Sequence, residues 1–374
     1  MLNIISKIFN NNRIYFILTA VLFVCFSVSR IYVRSVNELG TDEIEQVSNL
    51  ISFKHLLEYL PRIPGGAPGH YFITLPLNIV FPQNKYILGL PGLISQAIVF
   101  LFIPYIVNIL GITDKRQIRI VSMITRIGFV FNPTLTFQAM EVRPYSMLSF
   151  LWFVSVIFVN KIINFKKNQN GRSEIIIKSI VSVLSLSMIL IWHYYGLIMV
   201  FTMYIYLYIF RDRRNLSDLL NIKRIPNLIL LTGVLCVLPV WTYFSKGSFT
   251  YNFNAIENLP ISISTEGIVY KGVVQGITWR NYYYSWFFLV VLFIFITYSL
   301  SYCCRKISYE RTVVFKSVKI MITSVLLPII LIFTLDIFNR YWFLLRQFSW
   351  TIIPFYISLG VFISGLRIRS AKPG

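Results

Sequence analysis

Four carboxylates crowd one short stretch, "NELGTDEIEQVSNL" at residues 37–50: Glu38, Asp42, Glu43 and Glu45. The whole chain has only 14 acidic residues against 35 basic ones, so the cluster runs against composition. A carboxylate beside a hydroxyl can take its proton as the oxygen attacks an electrophilic carbon, the general-base task of inverting sugar chemistry. The plainer alternative is a helix start, with Thr41 or Asp42 as the cap before an apolar-periodic run.

Three other stretches combine cations with aromatic rings. "AMEVRPYSML" holds Glu141, Arg143 and Tyr145; "WHYYG" holds His193 and Tyr194; "LDIFNRYWFLLRQFSW" holds Asp336, Arg340, Tyr341 and Arg346. Arginine matches phosphate through paired hydrogen bonds, so Arg143, Arg340 or Arg346 could stabilise a phosphate that leaves. The ordinary reading of such residues at the ends of apolar spans is an interfacial anchor. His55, His70 and His193 share no i, i+4 spacing, so no metal site and no cofactor are expected. No nucleophile elbow is present, and Cys25, Cys236, Cys303 and Cys304 form no disulfide framework.

The elements that must position these groups are apolar. Hydrophobic residues make up 56% of the chain and charged residues 13%, about half the charged fraction of soluble domains. Apolar runs long enough to cross a hydrocarbon core of roughly 30 Å recur throughout, which predicts an all-α polytopic membrane protein. Ten spans are expected, near 13–30, 87–110, 120–139, 145–162, 177–194, 196–210, 227–245, 283–302, 317–336 and 348–366. The net charge of +21 is no nucleic-acid signal, because no soluble domain carries it. With both termini cytoplasmic, 23 of the 35 basic residues fall in inside segments and nine of the 14 acids fall outside.

Two outer segments are long, about 29–86 and 246–282, within a single domain covering 1–374. In the first, Ile44, Val47, Leu50 or Ile51, Leu56 or Leu57 and Leu60 trace a helical stripe, predicting a helix along the membrane surface. The Pro/Gly run "PRIPGGAPGHYF" is then expected to turn the chain back without helix. "SVS" before Arg30 loosely resembles a cleavage site, but an uncleaved anchor fits a chain that continues as a multi-span protein.

Taken in order, "DE" after the first span, "PGHYFITLPLNIVF", "EVRPYSMLSFLW", "WHYYGLIMVF" and "NRYWFLLRQFSWTIIPFYISLGVFI" resemble the GT-C superfamily of membrane glycosyltransferases. The likeness is greatest to bacterial members of glycosyltransferase family 39, related to protein mannosyltransferases, and covers nearly the whole chain. It implies that Asp42 is the catalytic base with Glu43 its neighbour, that Arg143 and Tyr145 line the site, and that His193 with Tyr194 and Arg340 with Tyr341 belong to it. Where relatives often carry "HPP" this chain has "GAPGHY". The implied donor is a polyprenyl-phosphate sugar, the acceptor a lipid, glycan or protein hydroxyl, and the place the outer face of the plasma membrane.

Two rivals use similar material. A flippase of lipid-linked saccharides would place charges mid-span, whereas only Arg126 lies well inside an expected span. A polysaccharide polymerase or ligase would concentrate arginines in one large late loop, and segment 246–282 is not strongly basic.

Overall fold

A computed structural model describes residues 11–59, 68–164, 180, 184–189, 191–193, 195–211, 309–331 and 349–370. Among them all regular structure is helical. In chain order the helices are α1 (Asn12–Val36), α2 (Thr41–Ser48), α3 (Phe53–Tyr59), α4 (Pro68–Val80), α5 (Lys85–Ile109), α6 (Lys115–Phe131) and α7 (Pro133–Gln138). There follow a 3-10 turn (Pro144–Met147), α8 (Leu148–Ile163), α9 (Tyr195–Tyr204), α10 (Tyr309–Met321) and α11 (Ile352–Ser370).

Among the described residues three helical runs are long and apolar enough to cross a bilayer: α1, α5 and Pro144–Ile163. Helix α1 leaves Phe16, Ile17, Val21, Val24, Val28 and Ile31 exposed, a surface that suits lipid and not water. These are features of a helical membrane protein. Helix α1 outruns its expected span, so the first loop begins after Val36 and Arg30 and Arg34 are helical. The expected span 120–139 is broken at Asn132, whose backbone is extended (ψ 118°) ahead of Pro133 because proline crowds a preceding helical residue. Segments 227–245, 246–282 and 283–302 lie outside the described residues.

Contacts divide the chain into two units. The first draws on 1–33, 97–138 and 262–374. There Phe23, Phe26, Phe100 and Phe129 pack with ring centres 5.4–6.3 Å apart. The Arg30 guanidinium lies 3.9 Å from the Phe26 ring centre and donates to the Phe129 carbonyl (2.9 Å). Arg126 donates to Tyr15 Oη (2.8 Å), Thr19 Oγ1 (2.9 Å) and the Phe100 and Leu101 carbonyls (3.3 Å each). Helices α10 and α11 meet through small polar residues, Ser317 and Ser358 each donating to the other's carbonyl (2.8 and 2.7 Å), as suits helix pairs in lipid.

The second unit draws on 34–96 and 139–261. Its loop segment differs from the single surface helix expected. The stripe is read correctly at Val47, Leu50 and Leu56, all buried, but the helix breaks at residues 49–52 into α2 and α3, leaving Ile44, Ile51 and Leu57 exposed. The cap of α2 is Gly40, so Thr41 and Asp42 are its first two residues and neither is the cap. The run "PGHYF" is helical from Pro68, a residue type well suited to a first turn because its missing N–H has no intrahelical partner to lose. Leu50 and Leu56 pack with Tyr71 and Leu75 of α4, while Val47 packs with Leu88 of α5 and Val142.

Candidate functional site

The site is built around a buried carboxylate. Glu43, third residue of α2, folds back so that Oε2 accepts from the Gly40 N–H (2.8 Å). Gly40 has no side chain to return the bond. Oε1 of the same carboxylate accepts from the Val142 N–H at 2.6 Å. Arg34 Nη1, near the end of α1, lies 3.3 Å from Oε1 and 3.4 Å from Oε2, and Arg34 Nε donates to the Lys85 carbonyl (3.1 Å). Both side chains are about 5% exposed (5% and 6%), so the charges satisfy one another out of water. One group thereby fastens the end of α1, the start of α2, the start of α5 and the segment before α8.

That segment carries Arg143 and Tyr145. Arg143 is buried, and its extended backbone (φ −144°, ψ 153°) precedes Pro144 as the proline requires. Ser146 N–H and Oγ both donate to the Arg143 carbonyl, at 3.2 and 2.8 Å, which fixes the turn. Two glycines of α5 let the turn come close. A Cβ at Gly89 would lie 2.7 Å from the Met140 carbonyl oxygen, and one at Gly92 would lie 2.3 Å from that of Ala139.

The histidines arrive from two more elements. His193 is buried; its Nδ1 accepts from the Tyr195 N–H (3.1 Å), so in the neutral ring Nε2 carries the proton. Its ring centre lies 4.4 Å from that of Tyr195 and 6.0 Å from that of Tyr145. His70 sits in the first turn of α4, held near residue 193 because Gly69 packs on Trp192, where a Cβ would meet the indole at 2.7 Å. The Thr74 hydroxyl donates to the His70 carbonyl (2.9 Å) and lies 3.4 Å from His70 Nε2. Burial pushes the His70 imidazole down to about 4, against a smaller upward pull from the Val142 backbone, so the ring is neutral near pH 7.

Of the residues singled out in the sequence, Glu43, Arg143, Tyr145 and His193 thus share one unit, and the backbone places Asp42 directly before Glu43 in the first turn of α2. Tyr194, Arg340, Tyr341 and Arg346 lie outside the described residues. Sequence reading missed Arg34 and gave His70 no special place. Arg34 was legible in principle, as a cation just past an apolar span and nine residues from Glu43. Among the described residues no three His, Cys, Asp or Glu side chains gather to hold a metal.

No protein-family profile matches the chain, and neither a curated protein nor a solved structure does.

Proposed function

We propose that the protein is a GT-C-type membrane glycosyltransferase that moves a sugar from a polyprenyl-phosphate donor to an acceptor hydroxyl. In this reading it has about ten spans in the plasma membrane, cytoplasmic termini and an outward-facing site. The observation that carries the reading is the Glu43–Val142 hydrogen bond, which ties the acidic turn of α2 to the Arg143–Tyr145 turn. A carboxylate and an arginine are the two groups that such a transfer needs.

The acceptor O–H attacks the anomeric carbon, the bond from that carbon to the donor phosphate oxygen breaks, and the electron pair leaves with the polyprenyl phosphate. Asp42 takes the acceptor proton, and attack opposite the leaving group inverts the centre. Arg143 balances the charge that grows on the phosphate; Arg340 and Arg346 are further candidates on sequence grounds. Glu43, with both oxygens engaged, holds the turn that carries Asp42.

The flippase reading gains little from the buried arginines of the first unit. Each nitrogen of the Arg126 guanidinium already donates to a hydroxyl or carbonyl, so the charge serves helix packing.

The test is transfer of labelled sugar from a polyprenyl-phosphate donor pool in membranes carrying wild type or Asp42→Asn. Transfer by wild type and its loss in a folded, inserted Asp42→Asn protein support the reading. Full activity of Asp42→Asn removes Asp42 as base, and no transfer by wild type with any donor sinks the reading.

A further inference from the structure

Beside the site, a cleft of about 500 Å³ opens between the segment that follows α1, helix α2 and the start of α5 with the turn before it. Its size is that of small-ligand sites, which run from roughly 300 to 1,000 Å³. Leu39, Ile44 and Val47 form an apolar floor. Ile44 is half exposed although large and apolar, and it belongs to the same first turn of α2 as Asp42.

The polar wall is held in place. Gln83 has φ 56°, the left-handed region that non-glycine residues avoid. Asn78 keeps it there: its Oδ1 accepts from the Gln83 N–H (3.0 Å), while its Nδ2 donates to the Val47 and Leu50 carbonyls (3.2 and 2.9 Å). Asn84 Oδ1 accepts from the N–H groups of Tyr86 and Ile87. The Gln83 side chain is exposed. Tyr86 is 41% exposed at the rim.

Charge decides the ligand class. Lys85 Nζ donates to Glu38 Oε1 (2.8 Å) and to the Ser35 and Asn37 carbonyls (3.3 and 3.2 Å), which uses all three ammonium donors. Its hydrogen bond and charge hold the Glu38 carboxyl below its usual range. The wall therefore has no net charge and no spare cation, which disfavours a phosphate. What it offers is carboxylate and amide groups suited to vicinal hydroxyls, plus an aromatic face and an apolar floor suited to the C–H face of a ring.

We propose that this cleft binds a neutral saccharide and, resting on the transfer reading above, that a glycan acceptor docks here with its hydroxyl directed to the Asp42 turn. The binding half stands without that reading.

The test is saturation-transfer NMR on the purified full-length protein with mannotriose, maltotriose and cellotriose, and with sialyllactose as an acidic comparison. The variants are Tyr86→Ala and Gln83→Gly. Glycine adopts φ 56° freely, so Gln83→Gly loses the amide without straining the turn. The expected result is that a neutral sugar binds wild type, and binds Tyr86→Ala and Gln83→Gly at least about tenfold more weakly. Binding that survives both cleft variants, binding of sialyllactose alone, or no binding at all overturns the proposal. If binding follows expectation but no donor supports transfer, the transferase reading falls and the cleft stands. If transfer occurs with an unchanged acceptor KM in Gln83→Gly, the acceptor assignment falls and the transferase reading stands.

Discussion

The Val142 N–H donates to Glu43 Oε1 at 2.6 Å across 99 residues of sequence, and Arg34 closes the same carboxylate from the other side. Removing one member of a buried pair strands the other charge, at a cost of roughly 3–5 kcal/mol. Glu43→Ala is therefore expected to lower thermal stability strongly and to abolish transfer with it. Asp42→Asn is expected to abolish transfer at nearly unchanged Tm. Unfolding curves of both variants in one detergent, beside the transfer assay, check the contrast. Equal loss of stability in the two would assign Asp42 a structural part.

What the sequence disclosed follows from which interactions leave a mark in residue type. Val47, Leu50 and Leu56 mark their shared buried face by spacing alone, and the three long apolar helices mark themselves by length. The break between α2 and α3 does not, because Asn49 ends the first helix with backbone bonds that "SNLIS" need not make. Nor does the Glu43–Val142 bond, whose donor is a backbone amide that any residue but proline would supply at position 142. The grouping of Arg143, Tyr145 and His193 was readable only as a shared order of motifs. The place of His70 was unreadable because Gly69 beside it packs against Trp192, a contact between residues far apart in sequence.

Stability should depend on pH through His70. Its folded pKa of about 4 lies below the ordinary value of 6.5, so between the two the unfolded chain binds the proton and the folded one does not. Above that window His70 has no effect; as pH falls through it, stability is lost, by up to about 3 kcal/mol. His70→Gln removes this slope. Tm measured from about pH 7 to about pH 4.5 for both proteins tests it, and parallel curves would show that another group titrates.

Arg143 should be needed for its fork as well as its charge. Arg143→Lys keeps a cation but cannot give paired hydrogen bonds to a phosphate. A drop of about 10²–10³ in kcat is expected for Arg143→Ala, with Arg143→Lys recovering only a small part. Measured at saturating donor, wild-type kcat in Arg143→Lys would rule out a paired contact.

The two glycines that flank the clamp should respond in opposite ways to one added methyl group. At Gly40 a Cβ would lie 3.6 Å from Glu43 Oε2, an ordinary contact, and φ is −66°, which alanine adopts freely. At Gly92 it would lie 2.3 Å from the Ala139 carbonyl oxygen and 2.7 Å from Ser146 Cβ. Backbone cannot swing aside as a flexible side chain can, so the turn bearing Arg143 must move. Gly92→Ala is expected to cost about 1–3 kcal/mol and to reduce transfer, although residue 92 touches no reacting group. Gly40→Ala is expected to leave transfer intact and to change stability by less than about 1 kcal/mol. Paired unfolding and transfer measurements decide it: normal transfer in Gly92→Ala would mean that the position of the turn does not govern the chemistry.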